Sequence, residues 1–316
     1  MASSNETGSN AIQALFQGEM DMEGMEEVLE LYRALSTLNA KALKPGKKFH
    51  APGGDEAEMR LKEGFILLQP AEIIPSEKAL LNRAVEILEV LKLHSDHEGE
   101  KEEASNLLEG KGLFRKMVEN YLVDGEDRLR ERGVIPQSLN SEVALFTVFN
   151  VLKGTFKDIS RAFGNVDTSD WEHGFCPVCG GGPAVATLEG EGGKRHLICH
   201  RCETKWRFGR ILCPFCGNSD HEKLGFFTLE DGDSRLRVDF CNSCRGYIKT
   251  WETGEDDNGH PEVEDLKTPG YDLAAEGEGY RRGAPNIFGV WVGFDLDDGS
   301  KPDDDPPDPE RVPRSS

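Results

Sequence analysis

Long apolar runs and a basic surplus are missing from this 316-residue chain, and no export leader is expected. No stretch of eighteen apolar residues occurs, which excludes an ordinary transmembrane helix and argues against membrane insertion. Residues 1–10 are small and polar, without the basic-then-apolar order of a secretory signal. Arg281-Arg282 lies too far along the chain for a twin-arginine export signal. A cytoplasmic protein with reduced thiols is therefore expected. Lys and Arg number 37 against 58 Asp and Glu, a net charge of −21, so phosphate backbones and anionic lipid are repelled and nucleic acid is a poor partner. No Gly-rich loop ends in Gly-Lys-Ser/Thr, no Gly-x-Ser-x-Gly turn is present, and no nucleophile and base stand at a known spacing. Gly53-Gly54-Asp55-Glu56 and Asp55-Glu56-Ala57-Glu58 resemble a cyclase signature and a helicase box but lack either context. They read as a loop entering a helix.

What the chain does contain changes character along its length. From 21 to 163 the apolar residues recur at helical steps. Met25, Val28, Leu29, Tyr32, Leu35 and Leu38 line one face. Ser76 can cap a second helix after Pro75, whose stripe is Leu80, Leu81, Ala84, Val85, Leu88 and Leu91. A third is expected over 104–122, weakened by Gly110 and Gly112, and a fourth from Ser141 to Phe163. Residues 44–54, rich in Pro and Gly, read as a loop, and the highly charged stretch 94–103 as exposed. These stripes read as core, not as ligand sites. Past Phe294 the chain turns to Asp and Pro and cannot bury enough apolar surface to offset its ordering entropy.

No cysteine lies outside 176–244, and none there is unpaired in spacing: Cys176/Cys179, Cys199/Cys202, Cys213/Cys216 and Cys241/Cys244 are all Cys-x-x-Cys. Two intervening residues let one tight turn aim both sulfurs at a point, and a second turn completes a tetrahedron of thiolates, as zinc and rubredoxin-type iron prefer. Eight sulfurs suffice for two ions. In a reduced compartment such pairs point to metal and not to disulfides. Cys176-Pro-Val-Cys179-Gly180 and Cys213-Pro-Phe-Cys216-Gly217 repeat one form, with glycine supplying the positive φ such a knuckle needs. Cys199-His-Arg-Cys202-Glu203 and Cys241-Asn-Ser-Cys244-Arg245 are plainer. Hairpins are expected between partners: 184–188 with 194–198, and 224–229 with 235–240 around Asp231-Gly232. Trp206 and Tyr247 follow as covering aromatics.

This order pairs knuckle one with two and three with four; an interleaved cross-brace is the alternative. Both sites would be closed, fit to organise structure and not to hydrolyse a substrate. His173, His196, His200 and His221 lie nearby in sequence, but eight thiolates need no replacement. Between Trp171 and Thr250 ten acids face eleven Lys and Arg, so the cysteine region is near neutral, unlike the basic face of a nucleic-acid-binding ribbon. The expected fold is α+β, an N-terminal all-helical domain followed by two tandem rubredoxin- or zinc-ribbon-like modules of four cysteines each. Residues 1–20 form a flexible N-terminus, 21–165 the helical domain and 166–207 the first module. Residues 208–290 form the second module with a C-terminal extension, and 291–316 an acidic disordered tail.

The run Cys199-His-Arg-Cys202-Glu-Thr-Lys-Trp206-Arg-Phe-Gly-Arg210-Ile-Leu-Cys213-Pro-Phe-Cys216 resembles the signature of the formate dehydrogenase accessory protein (FdhE) family. Cys176-Pro-Val-Cys179-Gly and the stretch Leu273-Ala-Ala-Glu276-Gly-Glu-Gly-Tyr280-Arg281-Arg282-Gly-Ala-Pro285-Asn286 are similar to it too. Glu63-Gly-Phe-Ile-Leu-Leu68 is a less specific match, and the whole resemblance spans about 25–288. It implies a cytoplasmic assembly factor, not an enzyme, that binds the catalytic subunit of molybdenum- or tungsten-dependent formate dehydrogenase during maturation. It implies that Cys176, Cys179, Cys199, Cys202, Cys213, Cys216, Cys241 and Cys244 hold two metal ions, iron of the rubredoxin type in the family, where the donors alone admit iron or zinc. The start before Ala11 and the Asp-rich end are additions to that pattern. A rubredoxin-like electron-transfer or redox-sensing protein is the second reading, and a homodimer is left open.

Overall fold

A computed structural model describes residues 22–45, 52–69, 72–93, 112–131, 134–136, 141–164, 166–230, 232–254 and 260–290. The expected flexible start, the charged stretch 94–103 and the acidic tail lie outside the described residues.

Among the described residues, five helices form the first half. Helix α1 (Met22–Asn39) turns Val28, Leu31 and Leu35 inward, the three- and four-residue steps of a single apolar face. Helix α2 (Gly54–Lys62) opens on Asp55 and Glu56 and closes on Arg60 and Lys62, which complements its dipole. The Gly-Gly-Asp-Glu sequence is thus a loop entering a helix. Ser76 caps α3 (Glu77–Leu93) by accepting from the Ala79 amide at 3.3 Å. Leu80, Ala84, Ile87 and Leu88 are buried there, but Val85 is exposed, because it lies one residue off the face those positions share. Helix α4 (Leu113–Glu131) runs beyond Leu122, and residues 104–111 of the expected third helix lie outside the described residues. Gly112 takes φ +73°, and its carbonyl accepts from the Lys116 amide in the first turn of the helix.

Helix α5 (Ser141–Ala162) is the axis of this half, buried at every position from 144 to 156. A helix covered on all sides needs close neighbours. Gly154 supplies one approach: a methyl there would meet the Asn39 carbonyl oxygen of α1 at 2.5 Å.

The second half is one seven-stranded sheet. Strands β1 (Pro183–Glu189), β2 (Lys194–Cys199) and β3 (Lys205–Arg207) form an antiparallel set. Strands β4 (Leu224–Phe227), β5 (Leu236–Cys241) and β6 (Gly246–Thr253) form another, so both expected hairpins are present. The two sets are joined by parallel pairing of β1 with β6, Val185 opposite Lys249 through Glu189 opposite Thr253, giving the order β3-β2-β1-β6-β5-β4. The tandem modules are therefore halves of a single sheet. Helices α6 (Pro261–Leu266) and α7 (Pro269–Gly277) follow, and β7 (Arg281–Arg282) pairs with the first residues of β6.

Alternation along the strands gives this sheet two covered faces. Ala186, Leu197, Trp206 and Ile248 face the large core, which runs without a break from the helices into the cysteines of the first half-sheet. Val185, Ile198, Val238, Tyr247 and Trp251 face a smaller core closed by Tyr271 and Ala275 of α7 and by Tyr280. The helical half is fastened to the sheet region by named bonds. The Leu67 and Leu68 amides donate to Pro177 and Val178, the Lys153 ammonium donates to the His200 carbonyl at 2.6 Å, and the Arg201 guanidinium lies over the Tyr121 ring.

Candidate metal centres

Each knuckle is a closed five-residue turn. The Cys176 amide donates to Gly181 and the Gly180 amide to Cys176; Cys213 with Asn218, and Gly217 with Cys213, repeat the pattern. Gly180 and Gly217 take φ +74° and +71°, as the glycine after the second cysteine predicts. The two knuckles without glycine make the same turn. Glu203 and Arg245 occupy that position at φ +60° and +57°. A non-glycine residue there is strained and must be held. Glu203 is held by Lys153 at 3.1 Å and Lys157 at 2.7 Å. Burial raises its carboxyl pKa, and the two ammonium groups outweigh that and bring it below the ordinary glutamate range. Arg245 donates to the Gly279 and Glu278 carbonyls and stacks 4.0 Å from the Tyr280 ring centre.

At Gly217 an added methyl would meet nothing within 4 Å, so only backbone strain opposes it. Gly217→Ala is expected to cost about 1–2 kcal/mol, the ordinary left-handed penalty. Urea unfolding of the metal-loaded protein measures it. A cost near zero would mean that this knuckle does not need its turn.

The four turns bring eight sulfurs into two groups. Cys176, Cys179, Cys199 and Cys202 form one, and Cys213, Cys216, Cys241 and Cys244 the other, with all sulfurs in a group within 4.8 Å of one another. Knuckle one meets two and knuckle three meets four; the cross-brace is not the arrangement. The closest separations are 3.5 Å (Cys176–Cys202) and 3.4 Å (Cys179–Cys199), then 3.7 Å (Cys213–Cys244) and 3.8 Å (Cys216–Cys241). A disulfide needs about 2.05 Å. Four sulfurs each about 2.3 Å from a central ion stand about 3.8 Å apart, the edge of the tetrahedron. The donor set and its spacing fit a metal centre of four thiolates, and both clusters could hold an ion. No histidine joins either group among the described residues. His200 lies close by, but its Nδ1 is 2.8 Å from the Gly182 carbonyl oxygen and its ring is stacked on Phe149.

Crowded thiols repel a shared ionised state. Burial pushes Cys176 and Cys179 well up. Against that same burial, hydrogen bonds from its three neighbours pull Cys199 well below the thiol range. In the second group a hydrogen bond from Cys244, opposed by burial, brings Cys213 to about 5. Cys213 and then burial drive Cys244 up in turn. A central cation would offset the repulsion between neighbouring thiolates in each group.

The groups differ in setting. The first is buried throughout and belongs to the large core. In the second, Cys216 is exposed and Cys244 half-exposed. The covering aromatics are placed as expected. Trp206 is buried and donates its indole N–H to the His173 carbonyl, and Tyr247 is buried in the smaller core.

One buried constellation escaped the sequence reading. Lys249 and Arg282 meet Asp265 and Asp272 on the far face of the sheet, all four side chains at 3 % exposure or less. Lys249 reaches Asp265 at 2.8 Å and Asp272 at 2.6 Å, and Arg282 reaches them at 2.6 Å and 3.0 Å. Tyr247 donates to Asp272 at 2.8 Å, and Arg282 donates to the Ala184 carbonyl. The signal was a lysine at an inward position between Tyr247 and Trp251, where alternation demands an apolar residue.

Among the described residues no helix is long and apolar enough to cross a membrane. Residues 175–210 match the family model of the FdhE central domain, and residues 211–288 that of the FdhE C-terminal domain. The chain is 32% identical over 122 residues to a protein FdhE homolog of Aquifex aeolicus, covering 38% of this chain and 43% of that one. It is 35% identical over 123 residues to a homolog from Pseudomonas aeruginosa, covering 36% and 39%. Protein FdhE of Escherichia coli is 32% identical over 116 residues, covering 36% and 37%. The chain thus spans about two-fifths of the length of the curated relatives it matches. The crystal structure of the FdhE protein from Pseudomonas aeruginosa shares the fold, with a TM-score of 0.57 at 20% identity over 92% of this chain and 98% of that one. The resemblance carried by the cysteine signature is borne out over 175–288, as is the α+β architecture.

Proposed function

We propose, from the FdhE central and C-terminal domains that residues 175–288 carry, that this protein is an assembly factor binding the catalytic subunit of formate dehydrogenase during its maturation in the cytoplasm. The observation that carries this reading is the pair of closed sulfur clusters inside those domains. Cys176, Cys179, Cys199 and Cys202 would hold one ion, and Cys213, Cys216, Cys241 and Cys244 the other. A bound zinc or rubredoxin-type iron ion cross-links two turns and neutralises thiolate charge. With four protein ligands no coordination position is left for a substrate, so the centres build a scaffold and the protein is not an enzyme. Lys153, Glu203 and Lys157 then set the first centre against α5, and Arg245 sets the second against the chain around Tyr280. In this reading the helical domain (21–165), the first module (166–207) and the second module with its extension (208–290) present one partner-binding body.

Affinity capture with the tagged full-length chain, from cells grown anaerobically, tests the proposal. The catalytic subunit of formate dehydrogenase is expected in the eluate, and Cys199→Ser is expected to abolish its capture. Its absence from the wild-type eluate would defeat the reading. Exposure of Cys216 favours a second function, rubredoxin-like electron transfer, since a ligand sulfur at the surface shortens the path to a partner. A colourless, redox-silent protein would remove it.

A further inference from the structure

On the face of the sheet that carries Ile248, the large core gives way toward β4 to a cavity of about 240 Å³. Its wall opposite the strands is the segment 210–215, which links the two sulfur clusters. Three guanidinium groups line it: Arg195 from β2, Arg237 from β5 and Arg210 from the linker. The first and last belong to the central domain and the other to the C-terminal domain, so the cavity lies where the two meet. Pockets favour such junctions.

Three guanidinium groups meet a single carboxylate here, beside the Cys213 and Cys241 sulfurs of the second cluster. Asp239 is the one carboxylate among its lining residues, and it is already shared. It forms ion pairs with Arg237 (Nε at 2.8 Å) and Arg195 (Nη2 at 3.5 Å) and accepts a hydrogen bond from the Thr250 hydroxyl at 2.9 Å. Arg195 is 4 % exposed, donates from Nη1 to the Leu212 carbonyl at 3.1 Å, and has no partner for Nε. A buried, incompletely bonded guanidinium is costly unless something completes it. Burial lowers the Arg195 pKa, and Arg237 and Arg210 oppose the help it gets from Asp239. Phe215, Phe240 and Ile248 supply apolar wall, and His221 with the Cys213 and Cys241 side chains of the second sulfur cluster completes the lining. Ile211 and Phe226 are exposed at 62 % and 54 % and form an apolar lip. The Arg237 guanidinium already stacks on the Phe226 ring, 4.6 Å from its centre.

We propose that this cavity is a binding site for a carboxylate carried on an apolar body, which Arg195, Arg210 and Arg237 hold while Ile211 and Phe226 cover the body. The planar guanidinium fork matches a carboxylate with two parallel bonds. Apolar walls and the neighbouring Asp239 disfavour a strongly hydrated dianion such as phosphate. The carboxylate can be an acidic side chain on a partner segment or a free organic acid. The site goes beyond the maturation reading and does not depend on it.

Calorimetric titration of the metal-loaded full chain tests this with four probes: phenylacetate, the blocked peptide acetyl-Leu-Glu-Leu-amide, inorganic phosphate, and uncharged phenethyl alcohol. At least one of the two carboxylates is expected to bind saturably, and phosphate and the alcohol are not. Tighter binding of the peptide assigns the site to a partner segment, and tighter binding of phenylacetate to a free acid. Arg210→Gln and Arg237→Gln, both away from the sealed interior, are each expected to weaken binding about tenfold, the effect of one charge-assisted bond. Arg195→Met should abolish it if that variant folds. No saturable binding of either carboxylate, equal binding of phosphate, or unchanged affinity in both Gln variants would each overturn the proposal. None of these outcomes touches capture of formate dehydrogenase.

Discussion

A chelator combined with a thiol reagent is expected to modify four cysteines of the metal-loaded protein quickly and four slowly. The fast set is Cys213, Cys216, Cys241 and Cys244, because Cys216 is exposed and Cys244 half-exposed. The slow set is Cys176, Cys179, Cys199 and Cys202. These are buried together in the core that continues into α5, and the second knuckle of that set is clasped by Lys153, Lys157 and Ser160. Reaching them requires local opening. An opening that costs roughly 3 kcal/mol slows reaction about 100-fold. Stopped-flow absorbance resolves the two phases, and mass spectrometry of the first identifies its cysteines. Eight thiols reacting in one phase would show that the two settings do not differ. The same contrast applies to single variants. Structural metal contributes on the order of 10 kcal/mol to folding of small sites. Cys199→Ser is therefore expected to loosen the helical half as well as the first half-sheet, whereas Cys216→Ser should leave α1 to α5 intact by circular dichroism.

Lys249→Met is expected to destabilise the protein by about 3–5 kcal/mol, although methionine suits the apolar neighbours on that face. The side chain has almost no exposure, and its ammonium bonds to Asp265, Asp272 and the Asp265 and Thr268 carbonyls. Removing it leaves two buried carboxylates sharing the Arg282 cation. Lys249→Met with Asp272→Asn keeps the Asp265–Arg282 pair, so the double variant should cost less than the sum of the singles by about 1–3 kcal/mol. Chemical unfolding of the four species gives the coupling, and strict additivity would refute a cooperative quartet. Acid adds a second signature. Burial raises the Asp265 carboxyl, but Arg282 and Lys249 more than offset this and hold it below its ordinary 3.8. Its contribution is complete above that value and is lost as pH falls through the lowered one. Nearby Glu276 goes the other way, raised to about 6 by burial and by Asp272, so its charge works against folding above that pH.

Local features were legible in the sequence and distant ones were not. The knuckles could be read because two residues between cysteines determine where both sulfurs point. The hairpins could be read because turn residues separate β-rich runs, and α1, α3 and α5 because their apolar residues keep helical steps. The pairing of β1 with β6 depends on which edges meet after each half has formed, and no periodicity encodes that. The plainer knuckles hide their left-handed residue, since Glu203 and Arg245 are held there by partners far along the chain and not by lacking a side chain. Lys249, Asp265, Asp272 and Arg282 are likewise spread over distant elements, so their neutrality as a set exists only in the folded protein.

The sheet order carries a consequence for association. In each half the strand before the first hairpin turn ends at one side (β1, β4) and the strand after the second knuckle at the other (β3, β6), so the two halves are stacked by translation, not by a closed rotation. An arrangement of this kind has no geometric stop: the β4 side of one copy is the equivalent of the side on which β6 already docks, and β3 is the equivalent of β6. What terminates growth is the poor quality of the outer strands. Strand β3 has three residues with Lys205 and Arg207 turned to solvent, and β4 has four. Lengthening β3 and replacing its two cations would convert a finite two-unit ribbon into one whose ends fit each other, and filaments are the failure to watch for in any engineered version.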